Sequence, residues 1–239
     1  MENYFDAASI QDKIGEIRHI IGQAAAKSGC QECDIHLMAV TKTQPVEAVN
    51  AAIGAGIRLL GENRAQELIQ KYDGYDKAHV EIHFIGGLQT NKVRQIIDKV
   101  TMIQSVDRVG LAQEIQRCCE QRDIHMDVLL EVNVGGELSK SGISPDELPQ
   151  LMEQISTMHR IRVKGLMCVP PICDKPQDLA VFFERMRRLF IDIKEQTIDN
   201  MSMQFLSMGM THDYPLAIEH GANLVRIGSG IFGPRTAAR

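Results

Sequence analysis

The chain has 239 residues, a formal net charge of -5, 44% hydrophobic side chains and 24% charged ones. That length allows one large domain or two small ones, and the composition is that of a folded globular protein rather than a disordered one. The acidic balance gives no support for a nucleic-acid-binding surface, no apolar run approaches a membrane span, and Met1–Asp6 lacks the basic and apolar stretches of a signal peptide. The expectation is a cytoplasmic protein with no membrane or nucleic-acid partner.

Residues 6–28 read as a helix, with Ile10, Ile14, Ile17, Ile20, Ile21 and Ala24 at helical spacing and Gly29 as the stop. Cys30 and Cys33 follow. With Cys118, Cys119, Cys168 and Cys173 they make six cysteines, read as buried or incidental thiols, because no second ligand pair stands at zinc spacing. Residues 35–40 form the first strand. Pro45 opens a helix that ends at Gly54 or Gly56. Residues 57–60 form the second strand, and a helix carrying Leu68 and Ile69 ends near Gly74.

The third strand spans 81–85 and is followed by a helix over 91–99. The fourth spans 101–104, after which Asp107 can cap a helix with Val109, Leu111, Ala112 and Ile115. The fifth spans 126–134. Ser144-Pro145-Asp146-Glu147 has the form of a helix start, with proline just inside and acids in the first turn. The sixth strand spans 161–167. Asp174 and Pro176 begin a long helix with Leu179, Phe182, Phe183, Met186, Phe190 and Ile193 on one face. The seventh strand spans 203–206, Thr211 or Asp213 caps a helix ending at His220-Gly221, and the eighth spans 223–227.

Eight strands alternating with helices over about 240 residues match a (β/α)8 barrel, with an open doubly wound sheet as the alternative. No linker or repeat interrupts the series, so residues 1–239 read as one domain. Few residues follow Arg226, and the N-terminal helix is expected to cover the wall where a full eighth helix has no room.

In a barrel, the residues after each strand share one face, where barrel enzymes place their sites. Here that face gathers Lys42, then Glu62, Asn63 and Arg64, then Gln89, Asn91 and Lys92. It continues with Ser105, Asn133, Ser139, Lys140, Ser207, Thr211 and Arg226-Ile227-Gly228-Ser229-Gly230. Lys42 closes an apolar strand. A lysine there either carries its charge out to solvent or is an amine held to capture a carbonyl. The loops after strands seven and eight are the usual phosphate site in barrels. Gly228-Ser229-Gly230 allows close backbone approach to an anion, and Ser207 and Thr211 add hydroxyl donors. A phosphorylated aldehyde satisfies both ends of such a site. Pyridoxal 5'-phosphate is one, and a sugar phosphate in an aldolase is another. Arg226, beside the phosphate loop, either reaches a pyridine nitrogen or pairs with an acid such as Glu62 or Glu219.

The segments Ala39-Val40-Thr41-Lys42-Thr43, Gly61-Glu62-Asn63, 83–92 (HFIGGLQTNK), Ser139-Lys140-Ser141-Gly142, Gly165-Leu166-Met167, Ser207-Met208-Gly209-Met210-Thr211 and 225–233 (VRIGSGIFG) together resemble the pyridoxal phosphate homeostasis protein family. The resemblance spans about residue 10 to Gly233. It implies a TIM barrel of the alanine racemase N-terminal type, with an extra N-terminal helix and no second domain. It also implies pyridoxal 5'-phosphate held as a Schiff base on Lys42, phosphate contacts from Ser207 and the Gly228-Ser229 backbone, Asn63 near the cofactor, and Arg226 facing the pyridine nitrogen. This chain has Arg64 where relatives often have Tyr, Gly87 where they often have Pro, Thr41 for a common Ser, and His212 for a small or acidic residue.

Arg226 stays protonated, a poor partner for electron-sink chemistry. Racemases of this barrel type also use Arg, but draw a second acid/base from a tyrosine of an added domain, and no tyrosine follows Tyr214 here. The reading is therefore a vitamin B6 homeostasis protein that buffers or delivers the cofactor, partners being apo-enzymes that need it. A low-activity amino-acid racemase is the alternative, and a monomer is expected.

Overall fold

Helical periodicity in the first segment translates directly into packing. In the computed structural model, which describes residues 6–137 and 140–234, α1 (Ala7–Lys27) buries Ile10, Ile14, Ile17, Ile21 and Ala24 on one face. The Asp6 side chain caps it by accepting the Ala8 amide at 3.0 Å, and Gly29, at φ 76°, turns the chain away.

The barrel alternates from there: β1 (His36–Val40), α2 (Val46–Gly54), β2 (Leu59–Glu62), α3 (Ala65–Lys71), β3 (Glu81–Phe84), α4 (Val93–Ile96), β4 (Met102–Val106) and α5 (Val109–Arg122). It continues with β5 (Met126–Glu131), α6 (Leu148–Ser156), β6 (Ile161–Met167), α7 (Pro176–Lys194), β7 (Met201–Ser207), α8 (Tyr214–Glu219), β8 (Leu224–Ile227) and α9 (Ser229–Phe232). The strands are parallel and close in sequence order, β8 returning to β1 with Met38 opposite Arg226. The open-sheet alternative is excluded. α9 is a single turn, and α1 packs against α2, α8 and α9, covering the wall as expected.

Strands buried on both faces carry two kinds of side chain. Outward-facing Leu60, Phe84, Ile103, Val128, Leu166 and Val225 pack under the helices. Inward, Met38, Leu59 and Leu224 form one small cluster and Met102, Leu129 and Met167 another, both against Phe205. Gly165 makes this possible. At φ 150°, a Cβ there would sit 1.9 Å from the Phe205 carbonyl oxygen, so β6 and β7 meet only because that position is glycine.

Several boundaries differ from expectation. β5 ends at Glu131, and Val132 makes only an isolated bridge with Ile143. β2, β4 and β7 run one to two residues further toward the C-terminal face. Ser144–Glu147 forms a turn, not the first turn of α6. Ser144 Oγ donates to Glu147 Oε2 at 2.6 Å and accepts the Glu147 amide at 3.3 Å, so the capping pair closes on itself before the helix begins. Asp213 stands at the start of α8 but turns its carboxylate back to the Met210 amide at 2.5 Å.

Candidate functional site

At the C-terminal face of the barrel lies a cavity of about 350 Å3. Lys42, Asn63, Thr211, His212, Arg226, Gly228 and Ser229 line it, with apolar walls from Val40, Ile85, Val169 and Met210. Of the residues expected to hold a cofactor, Lys42, Asn63, Thr211, Arg226, Gly228 and Ser229 line this pocket and Ser207 does not, nor do Glu62, Arg64, Gln89, Asn91, Lys92, Ser105, Asn133 and Lys140 of the same face. Ser139 lies outside the described residues.

Lys42 follows β1 in a tight turn closed by the Gln44 amide donating to the Thr41 carbonyl at 3.1 Å. Thr43 takes φ 63°, a conformation costly for a β-branched residue. A network from α3 and its neighbours holds the turn in place. Glu67 accepts the Thr43 amide. Lys71 Nζ donates to the carbonyls of Thr41 at 3.0 Å and Gln44 at 3.2 Å, and to Glu67 Oε1 at 2.7 Å. Fully buried Glu62 accepts from Thr41 Oγ1 at 2.7 Å and from Tyr75 Oη at 2.5 Å, and lies 3.5 Å from Lys71 Nζ. Burial first, then the Glu62 charge, push the Tyr75 phenol far above its ordinary range, so it remains a donor.

Asn63 continues from β2. Gly86 packs against it so closely that a Cβ at 86 would lie 2.1 Å from the Asn63 carbonyl oxygen. Asn63 Oδ1 is buried with no hydrogen-bond partner among the described residues. A buried amide oxygen facing a pocket is a group awaiting a ligand's donor or an ordered water.

Arg226 is 4% exposed on β8. Its Nη1 donates to Ser207 Oγ at 2.7 Å and its Nη2 to the Cys168 carbonyl at 2.8 Å. Glu219 pairs instead with Lys27 and Glu62 with Lys71, so neither acid expected as a partner reaches it. Burial lowers its pKa from the ordinary arginine value, countered in part by Cys168, Glu131 and Asp213. Ser207 is fully buried and lies beneath the pocket, its hydroxyl donating to Gln104 Oε1 at 2.8 Å.

On the phosphate-loop side, Thr211 Oγ1 accepts the Gly230 amide at 3.2 Å and lies 3.2 Å from Ser229 Oγ. Ser229 opens α9, where the Ile231 and Phe232 amides donate to the Gly228 carbonyl at 3.0 Å each. Two hydroxyls thus line the cavity beside a guanidinium.

Sequence reasoning missed Glu67, Lys71 and Tyr75, which hold the Lys42 turn. The four-residue spacing of Glu67 and Lys71 on one helix was the available signal. Cys30 and Cys33 are exposed and form no disulfide, and no cluster suited to a metal occurs among the described residues.

A family model for the alanine racemase N-terminal domain matches residues 14–236. A pyridoxal phosphate homeostasis protein of Aquifex aeolicus (strain VF5) is 39% identical over 224 residues, covering 94% of this chain and 97% of that one. The chain belongs to the pyridoxal phosphate homeostasis protein family. A protein of unknown function from Bifidobacterium adolescentis superposes with TM-score 0.90 at 34% identity, over 95% of each chain. PipY of Synechococcus elongatus PCC7942, solved with PLP bound, superposes with TM-score 0.82 at 28% identity, over 94% of this chain and all of that one. The homeostasis family thus shares its barrel with the racemases, and the pocket described here lies at the face where barrels of this kind carry their sites.

Proposed function

We propose that this chain binds pyridoxal 5'-phosphate in the pocket at the C-terminal face and holds it for delivery or buffering in intracellular vitamin B6 homeostasis, without robust turnover. One observation carries the reading: an amine, a guanidinium and a hydroxyl-lined loop converge on one cavity of about 350 Å3. The homeostasis name of the relatives and the PLP-bound PipY structure support it. The residues fit the group. Asn63 Oδ1 needs a donor, Thr211, Ser229 and the Gly228–Ser229 backbone suit a phosphate, and Arg226 suits an acceptor nitrogen.

When bound, the cofactor supplies an aldehyde open to the Lys42 amine. The Glu67–Lys71 network fixes the direction from which Lys42 enters. Arg226 can only donate, so toward a ring nitrogen it leaves that atom unprotonated. Ser207, beneath the floor, orients Arg226 and is assigned to that task in place of a phosphate contact. No tyrosine lines the cavity among the described residues. Tyr75 is committed to Glu62, and Tyr214 is buried on α8. His212, exposed at the rim, brings an imidazole to the pocket, and it supports a weak racemase as the second reading.

The test is an absorbance spectrum of the purified protein incubated with pyridoxal 5'-phosphate, followed by borohydride reduction and peptide mapping. The expected result is a bound-cofactor band, a label on Lys42, and loss of both in Lys42→Ala. Transfer of cofactor to an apo-enzyme, with no inversion of any amino acid in a panel, supports the carrier reading. Absence of the band overturns binding. Inversion that is lost in His212→Ala selects the racemase.

A further inference from the structure

The barrel interior contains a run of polar side chains that the pocket itself does not require. His83 and Gln104 are buried in the barrel interior, at 3% and 0% exposure. They lie on a line from Arg226 to the opposite mouth of the barrel. Arg226 Nη1 lies 2.7 Å from Ser207 Oγ, which lies 2.8 Å from Gln104 Oε1. Gln104 Nε2 lies 2.8 Å from His83 Nδ1, and His83 Nε2 lies 3.5 Å from Glu81 Oε2. Glu81 and His83 line a separate cavity of about 920 Å3 at the N-terminal face.

The direction of every bond in this line follows from its first member. A guanidinium has donors only, so Ser207 Oγ accepts from it and turns its own proton to Gln104. Gln104 must then present its oxygen to Ser207 and its NH2 to His83. An amide NH2 needs an acceptor, so His83 Nδ1 carries no proton and the proton sits on Nε2, facing Glu81. Reversing any link would set two donors against each other inside a buried core, where an unmet donor is costly.

We propose that Gln104 and His83 are positioning residues for Arg226, and that this one-way chain holds His83 as the neutral Nε2-protonated tautomer. The chain fixes which guanidinium hydrogen is spent below the pocket floor and therefore which remain to face a ligand. The link to the cofactor rests on the function proposed above, whereas the tautomer does not.

Long-range 1H–15N spectra of the histidine rings in the purified protein at pH 7 test the tautomer directly, with His83 assigned by the signals lost in His83→Asn. The expected pattern is an unprotonated Nδ1 and a protonated Nε2. A protonated Nδ1 overturns the proposal, whether or not the protein binds any cofactor. For the cofactor link, His83→Leu is expected to weaken retention of pyridoxal 5'-phosphate about tenfold and shift the bound absorbance band. His83→Asn, whose side-chain oxygen stands near the place of Nδ1, restores both. Wild-type retention and band position in His83→Leu, with melting temperatures showing both variants folded, refute the positioning role.

Discussion

Glu131→Gln isolates one buried carboxyl with a pH signature. Glu131 ends β5 inside the barrel, 7% exposed. Burial, and then the nearby Asp107 charge, raise it from 4.5 to about 7, and Arg226 offsets only part of this. In the unfolded chain it ionises near 4.5. Between those values the native state holds a proton that the unfolded state has released, so stability falls as pH rises through this window. The displacement from 4.5 to about 7 corresponds to roughly 3 kcal/mol, present in full below pH 4.5 and lost by about pH 8. A glutamine keeps the shape and never ionises. Urea denaturation of wild type and Glu131→Gln at pH 5, 6, 7 and 8 reads the difference between the two directly. The stability of the variant relative to wild type is expected to rise by roughly 2.5 kcal/mol from pH 5 to pH 8, most of it below pH 7. Parallel curves from pH 5 to pH 8 would show that Glu131 ionises normally, refuting the account of its burial.

Phe183, fully buried on α7, is expected to cost about 3–5 kcal/mol when truncated in Phe183→Ala, read as a shift in urea midpoint at constant slope. Gly165→Ala places a Cβ into the Phe205 carbonyl at a positive φ, and the variant is expected to lose more than about 4 kcal/mol or to accumulate as insoluble protein. Gly15→Ala is the control. That glycine sits in the interior of α1 with nothing within 4 Å of an added Cβ, so thermal unfolding should show a gain of about 1 kcal/mol.

The barrel was legible because its signals are local and repeated. Each strand is a short apolar run, each helix carries a periodic face, and the polar residues follow the strands. Lys42, Thr211, Arg226, Gly228 and Ser229 could be placed on one face by topology alone. Ser144-Pro145-Asp146-Glu147 misled because the same serine–glutamate pair that caps a helix also closes a turn. Ser207 could be placed near the site but not assigned its task, which depends on Gln104, 103 residues away, and Arg226, 19 residues on. His83 sits in a strand as an isolated polar residue, and nothing near it in sequence reveals that Gln104 satisfies it. Side-chain networks of this kind are set by closure of the barrel, which brings β3, β4, β7 and β8 within reach across the interior.

Lys42 and Arg226 are therefore positioned by different machinery. Lys42 is held from outside the barrel wall, by Glu67 and Lys71 of α3 acting on its turn and by Glu62 and Tyr75 behind it. Arg226 is held from within, by Ser207, Gln104 and His83. Among the hydrogen bonds given above for the described residues, the two networks share no partner. Disturbing one should leave the other intact, and a double-mutant cycle measures this. Lys71→Met leaves Glu62 and Glu67 without their cation and is expected to cost about 3 kcal/mol. Gln104→Leu strands the Ser207 hydroxyl and the His83 ring and is expected to cost about 2 kcal/mol. Urea denaturation of the double variant should give the sum of the two, with a coupling below about 0.5 kcal/mol. A coupling above about 1 kcal/mol would mean that the Lys42 turn and the Arg226 chain form one cooperative unit, contrary to the partition of the hydrogen bonds.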